Sequence, residues 1–267
     1  QAEALTAWSG GAYDTTRDRL IVWGGGHTDY GGNEIYTFDI NTGTWTMAIG
    51  PTITTTADLA QNNGSDYYHD GRPSSRHTAN ALAYAPNVDL FFSFNSAATY
   101  GNPPRAGFEV DSFNFNTATW KTDWINSPGN LYGPNSTIAA YHPGTGKIWY
   151  HASLNSPLAV FDPAAAGGVG AWTTYASQYL EIEAAVVLDP KRNRFIAMGG
   201  YGGARQFFVW DLNNPNNDPT SPVTSGVAGG KALESKEGVG FFYDPVGERY
   251  IAGSGGTSVY ALDPTTW

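Results

Sequence analysis

The chain has 267 residues, 41% hydrophobic and only 14% charged, with 33 Gly, 16 Tyr, 13 Phe and 9 Trp, which favours short strands and tight turns over helical bundles. Its net charge of −10, with few and scattered cations, excludes a basic surface for nucleic acid and suits a neutral or cationic ligand. No run approaches the ~18 apolar residues of a membrane-spanning helix, and without cysteine there are no disulfides, thiolate metal sites or cysteine nucleophiles.

Five segments share one grammar. In chain order they are GGAYDTTRDRLIVWGGG from Gly10, ANALAYAPNVDLFFSFN from Ala79, TIAAYHPGTGKIWYHAS from Thr137, AAVVLDPKRNRFIAMGG from Ala184 and GVGFFYDPVGERYIAGSGG from Gly238. Each holds two apolar runs around a turn, at Asp14, Pro86, Pro143, Pro190 or Pro245, and that spacing predicts a β-hairpin. A third strand follows, ending at Asp39, Asn116, Asp162, Asp211 or Asp263. Four repeats then reach a Trp that opens a fourth strand: Trp45, Trp120, Trp172 and Trp267. These recur at one repeat position and are expected in the core. The fourth repeat instead runs into the loop-like NNPNNDPTSP. The aligned residues Tyr13, Tyr84, Tyr141, Leu188 and Tyr243 lie 71, 57, 47 and 55 positions apart, and the long first interval holds an insertion over residues 51–75. That insertion either projects as a contact surface or packs on its own repeat.

The first repeat carries a more specific pattern. Gly24-Gly25-Gly26 precedes Asn33-Glu34-Ile35-Tyr36-Thr37-Phe38-Asp39-Ile40-Asn41-Thr42-Gly43-Thr44-Trp45. This resembles the kelch repeat: a diglycine, then Asn-Asp-Val-Tyr-x-Tyr-Asp, then Thr-x-Trp, with a period of about 50 residues. The resemblance covers nearly the whole chain, strongly in the first repeat and loosely in the others. It implies an all-β fold, a five-bladed kelch-like β-propeller forming one domain over residues 1–267. The repeats then span approximately 9–50, 76–125, 135–176, 182–223 and 236–267. The segment Glu3-Ala4-Leu5-Thr6-Ala7-Trp8 is expected to supply the missing outer strand of the last blade and so close the ring. The alternative is part of a six- or seven-bladed propeller.

In such a ring, ligands gather at one mouth of the central channel. Aligning the repeats puts Arg76, His77, Glu181, Glu183, Lys236 and Glu237 just before inner strands, converging near the axis. A second cluster, His27, Asp29 and Tyr30, sits on a glycine-flanked loop, with Tyr100 and Arg105 in the matching loop of the second repeat. Aromatic faces suit sugar rings, and the polar tips supply hydrogen bonds. The plainer alternatives are ion pairs that only order the channel and a loop histidine that caps backbone groups. His142 is expected at the surface of a blade turn. His69 and His151 lack metal-ligand spacing, so no cofactor is expected, with calcium on carboxylates and carbonyls left open.

The resemblance also brings in galactose oxidase, whose copper radical site needs a Tyr–Cys crosslink that a chain without cysteine cannot make. Propeller polysaccharide lyases suggest another assignment. There His27, His77, Tyr30 and Tyr100 would act as base or acid while Arg76 neutralises a uronate. The leading expectation is a recognition module that binds a glycan or a protein, because a fold does not by itself carry an activity. Richness in Asn, Thr, Ser, Gly and Tyr points to an extracellular, cell-surface or virion-surface setting. A structural or assembly subunit is the further alternative, and a homo-oligomer or larger assembly is compatible with each reading.

Overall fold

The computed structural model describes residues 10–25, 30–58, 66–94, 110–125, 128, 131, 137–152, 154–181, 183–201, 206–221 and 233–267. Blade 1 consists of β1 (Gly10–Asp14), β2 (Arg19–Trp23), β3 (Ile35–Asp39) and β4 (Thr44–Ile49). Blade 2 is β5 (Leu82–Ala85), β6 (Leu90–Phe94), β7 (Val110–Asn114) and β8 (Thr119–Lys121). Blade 3 is β9 (Thr137–His142), β10 (Lys147–Ala152), β11 (Leu154–Asp162) and β12 (Ala171–Leu180). Blade 4 has three strands, β13 (Ala185–Asp189), β14 (Arg194–Met198) and β15 (Phe207–Asp211), as has blade 5, with β16 (Gly240–Asp244), β17 (Arg249–Gly253) and β18 (Tyr260–Leu262). Every strand pairs antiparallel with its sequence neighbour, and the five meanders form a five-bladed β-propeller. The expected closing segment Glu3–Trp8 lies outside the described residues.

The acids that end the strands have a local task. Asp14 accepts hydrogen bonds from the backbone N–H of Thr16 (3.0 Å) and Arg17 (3.1 Å). Asp39, Asp189, Asp244 and Asp263 repeat this two-fold capping. Such Asx turns satisfy the amides that a tight reversal leaves unpaired. In the second repeat the capping residue is Asn114, two positions before the expected Asn116. The described residues of the NNPNNDPTSP stretch join no named strand and pair with the blade at an isolated bridge between Thr220 and Val209, as the turn-rich composition suggests.

One register row recurs through the blades. It runs Tyr84, Phe91, Phe113, Trp120 in blade 2 and Tyr141, Ile148, Phe161, Trp172 in blade 3, then Leu188, Phe195, Trp210 in blade 4. Its middle members are fully buried, and each row faces the preceding blade. Trp120, for example, lies 5.4 Å from Phe113 and 5.2 Å from Trp23 across the blade 1–blade 2 contact. Trp267 belongs to no strand but stacks on Tyr250 and meets Phe207 edge-on. Trp120, Trp172 and Trp267 are thus packed in the core as expected, whereas Trp45 is exposed.

Inner strands lie side by side from β1 to β5, β5 to β9, β9 to β13 and β13 to β16. Among the described residues no contact of comparable extent joins β16 to β1.

Two further placements differ from, or decide between, the expectations. His142 is buried rather than at the surface, because its Nε2 meets Asn193 Oδ1 of blade 4 at 3.0 Å and its Nδ1 accepts from Gly144 N–H. The described part of the insertion packs on blade 1: Asn33 bonds Thr52 and the Pro73 carbonyl, and the Tyr68 hydroxyl donates to the Gly31 carbonyl.

Candidate functional site

The segments that enter the inner strands surround a cavity of about 340 Å³, lined by Gly10, Gly11, Ala79, Asn80, Glu183 and the stretch Gly238, Val239, Gly240. Its walls are mostly backbone. Gly10 belongs there for a steric reason: a Cβ on it would lie 1.9 Å from the Ala79 carbonyl oxygen. The same approach lets Gly10 N–H donate to Thr78 Oγ1 at 2.7 Å, while that hydroxyl donates to the Trp23 carbonyl. Asn80 ties the rim together, since its Nδ2 donates to the Ala184 carbonyl of blade 4 at 2.9 Å and its own carbonyl accepts from Ala139 of blade 3.

The polar chemistry of this rim is a pair of carboxyl groups. Glu183 adopts a left-handed backbone conformation (φ 60°) and hydrogen-bonds through its side chain to Glu237. Burial, then the Glu237 charge and that hydrogen bond, push the Glu183 carboxyl up to about 7. Two carboxyl groups this close favour holding one proton between them. Such a pair both donates and accepts hydrogen bonds near neutral pH.

The other expected site residues distribute differently. Glu181 accepts from the Tyr179 hydroxyl at 2.8 Å, and its N–H donates to Gln206, apart from the pair. Lys236 is exposed, and its carbonyl accepts from Gly200 N–H. Tyr30 donates to the buried Glu34, which also accepts from Tyr36 at 3.1 Å. The blade 1 loop does run beside the entry to β5, since Gly25 N–H donates to the Arg76 carbonyl at 3.0 Å. His77 is half-buried. His27, Asp29, Tyr100 and Arg105 lie outside the described residues.

Arg76 lies in the interior rather than on an open mouth. Its side chain is 0% exposed, pairs with Asp111 at 3.2 Å, and donates to the carbonyls of Ser74 (3.2 Å) and Asp66 (2.9 Å). The guanidinium also lies 5.7 Å from the Trp23 ring. A cation held this way anchors the insertion to blades 1 and 2 and has no open face for a substrate carboxylate. Asp111, its partner, carried no signal in the sequence beyond its place in a third strand.

A second cavity, of about 350 Å³, lies where the hairpin turns of blades 1 to 3 come together, lined among others by Tyr13, Tyr84, Tyr141 and Pro86. The three tyrosines are the residues on which the repeats align, so their recurrence was the available signal for this site. The Tyr84 hydroxyl is already committed: it bonds Thr16 and Asp89, and burial followed by the Asp89 bond pushes it up to about 12. His151 is also internal, with burial pushing it down to about 4 beside the Trp210 ring. His69 Nδ1 meets Asp58 at 2.8 Å within the insertion. Among the described residues no group of three or more His, Asp or Glu side chains is disposed to hold a metal ion, and no helix is long and apolar enough to cross a membrane.

No family model matches the chain, and no curated protein matches its sequence. Its fold is similar to that of solved structures. The structure of YjhT superposes with a TM-score of 0.58 and 14% identity, over 92% of this chain and 71% of that one. A fungal alcohol oxidase of the AA5 family, solved in complex with copper, superposes with a TM-score of 0.54 and 14% identity, over 92% of this chain and 46% of that one. At this identity the likeness is one of fold.

Proposed function

We propose that the chain is a recognition module that takes a neutral or amine-bearing glycan at the channel mouth beside Glu183 and Glu237. The carrying observation is a pair of neighbouring carboxyl groups, of which Glu183 lines a cavity of about 340 Å³ and Glu237 precedes the lining Gly238. A proton-sharing pair suits vicinal hydroxyls, which need a donor and an acceptor together, and its ionised member suits an ammonium group. Acidic polysaccharides fit poorly, because a chain of net charge −10 repels them and Arg76 is engaged with Asp111. This weighs against the lyase reading. The kelch-like pattern of the first repeat and an extracellular or surface setting accord with a binder, and both remain part of the proposal.

Calorimetric titration of the full chain with neutral, amino and uronate oligosaccharides tests the reading. Neutral or amino sugars are expected to bind, and Glu183→Gln to weaken them about tenfold, the worth of one charge-assisted hydrogen bond. Failure of all three classes to bind, or binding indifferent to both Glu183→Gln and Glu237→Gln, would overturn it. Ultraviolet-absorbing unsaturated product from a uronate substrate would restore the lyase.

A further inference from the structure

The blades manage their outer edges differently. In blade 4 the edge of β15 is covered, since Val209 and Thr220 exchange backbone hydrogen bonds of 2.9 Å in each direction. In blade 2 the outer strand β8 has only three residues and ends in Lys121, and both features discourage a further strand. The outer strand of blade 3 has neither protection. β12 is ten residues long, the longest of the described strands, and its sequence AWTTYASQYL holds no charge, no proline and no glycine. Among the described residues its backbone pairs with β11 alone. Thr173, Thr174, Ser177 and Tyr179 are exposed along it. A long, uncharged edge of this kind is a template for another strand.

The edge has an interruption that bears on the occupant. Pro157 of β11 has no N–H to give the ladder, and beside it the register shifts, so that Tyr175 and Ala176 both stand opposite Leu158. This bulge divides β12 into two regular runs, 171–174 and 177–180. A straight peptide strand would meet the bulge as a break. A second β12, turned about a two-fold axis between Tyr175 and Ala176, presents its own bulge at the same place, and each regular run meets the other. The same operation matches residue types: Trp172 faces Tyr179, Thr173 faces Gln178, Thr174 faces Ser177, and the apolar Ala171 faces Leu180. Applied to β4, which is also uncharged, it sets Thr44 against Ile49 and Thr46 against Met47.

We infer that β12 pairs antiparallel with β12 of a second copy, joining blade 3 of each into one continuous sheet across a two-fold axis. The contact is isologous and closes at two copies. It suits chains that each carry −10, because it brings uncharged strands together and keeps the Glu181 carboxylates of the two copies at opposite ends of the ladder. One edge-to-edge ladder buries less than a standard protein interface, so the dimer is reversible. The pairing uses neither Glu183 nor Glu237, and it stands or falls independently of the glycan reading.

Sedimentation velocity on the full chain over a range of concentration tests the inference. The wild type is expected in reversible monomer–dimer equilibrium, with nothing larger. Thr174→Lys combined with Ser177→Lys sets like charges opposite each other across the ladder and should weaken the dimer about tenfold or more. Thr174→Glu combined with Ser177→Glu should do the same. Mixing the two double variants should restore a dimer that holds one copy of each. If a double variant fails to fold by circular dichroism, the single variants Thr174→Lys and Ser177→Glu repeat the test. Their mixture should give a heterodimer tighter than either homodimer, because 174 faces 177 in this register. A wild type that stays monomeric at every concentration would leave the edge to an extended peptide and overturn the inference. A dimer indifferent to both double variants, or a mixture that forms no heterodimer, would overturn it as well.

Discussion

At the residue scale, Glu183 carries a carboxyl that its surroundings shift toward neutral pH. Its carboxyl is raised from the ordinary 4.5 to about 7, so the folded state holds a proton that the unfolded chain releases. The contribution to stability is therefore full below pH ~4.5, falls as pH rises, and is lost above about 7. Glu183→Gln mimics the protonated form. Thermal unfolding of the variant should lose that part of the pH dependence and give a higher Tm than the wild type at pH ~8. An unchanged slope between pH ~5 and ~8 would place the two carboxyl groups apart in solution. Residue type alone pointed to Glu183 and Glu237 because both precede inner strands. It could not separate them from Glu181 or Arg76, which occupy equivalent places in the repeat but turn to Tyr179 and Asp111 instead.

At the element scale, the repeat determines which side chains align, and the neighbouring blade determines what each is worth. Trp45 and Trp120 hold the same register position in blades 1 and 2. Trp120 packs among Trp23, Phe91 and Phe113, whereas Trp45 contacts Phe38 and solvent. Trp120→Ala should cost about 3–5 kcal/mol in denaturant unfolding, and Trp45→Ala under about 1 kcal/mol measured on dilute monomer. Equal costs would mean that the blade 1 face is covered even in the monomer. The hairpins and their turns were legible in the sequence because strand alternation and Asx capping act within a few residues. His142 was misjudged because its burial depends on Asn193 of the next blade, 51 positions away.

At the scale of the whole molecule, blades 2, 3 and 4 are packed on both faces, whereas among the described residues Tyr13, Leu20 and Trp45 of blade 1 and Phe242 of blade 5 are exposed. Opening in such an array begins at elements with one packed face. Hydrogen exchange in dilute protein should therefore be faster in β4 and β18 than in β6, β10 or β14, whose strands are covered on both sides.

The sequence by itself determined the hairpins, the meander, the number of repeats and hence an all-β propeller, because these follow from local periodicity, turn chemistry and repetition. Only the tertiary structure decided which polar residues lie at the channel rim, which are consumed as anchors, and that Trp45 is exposed where Trp120 is packed. Those outcomes depend on how one blade meets the next around the axis. A register row reads the same in the sequence whether another sheet or water lies against it.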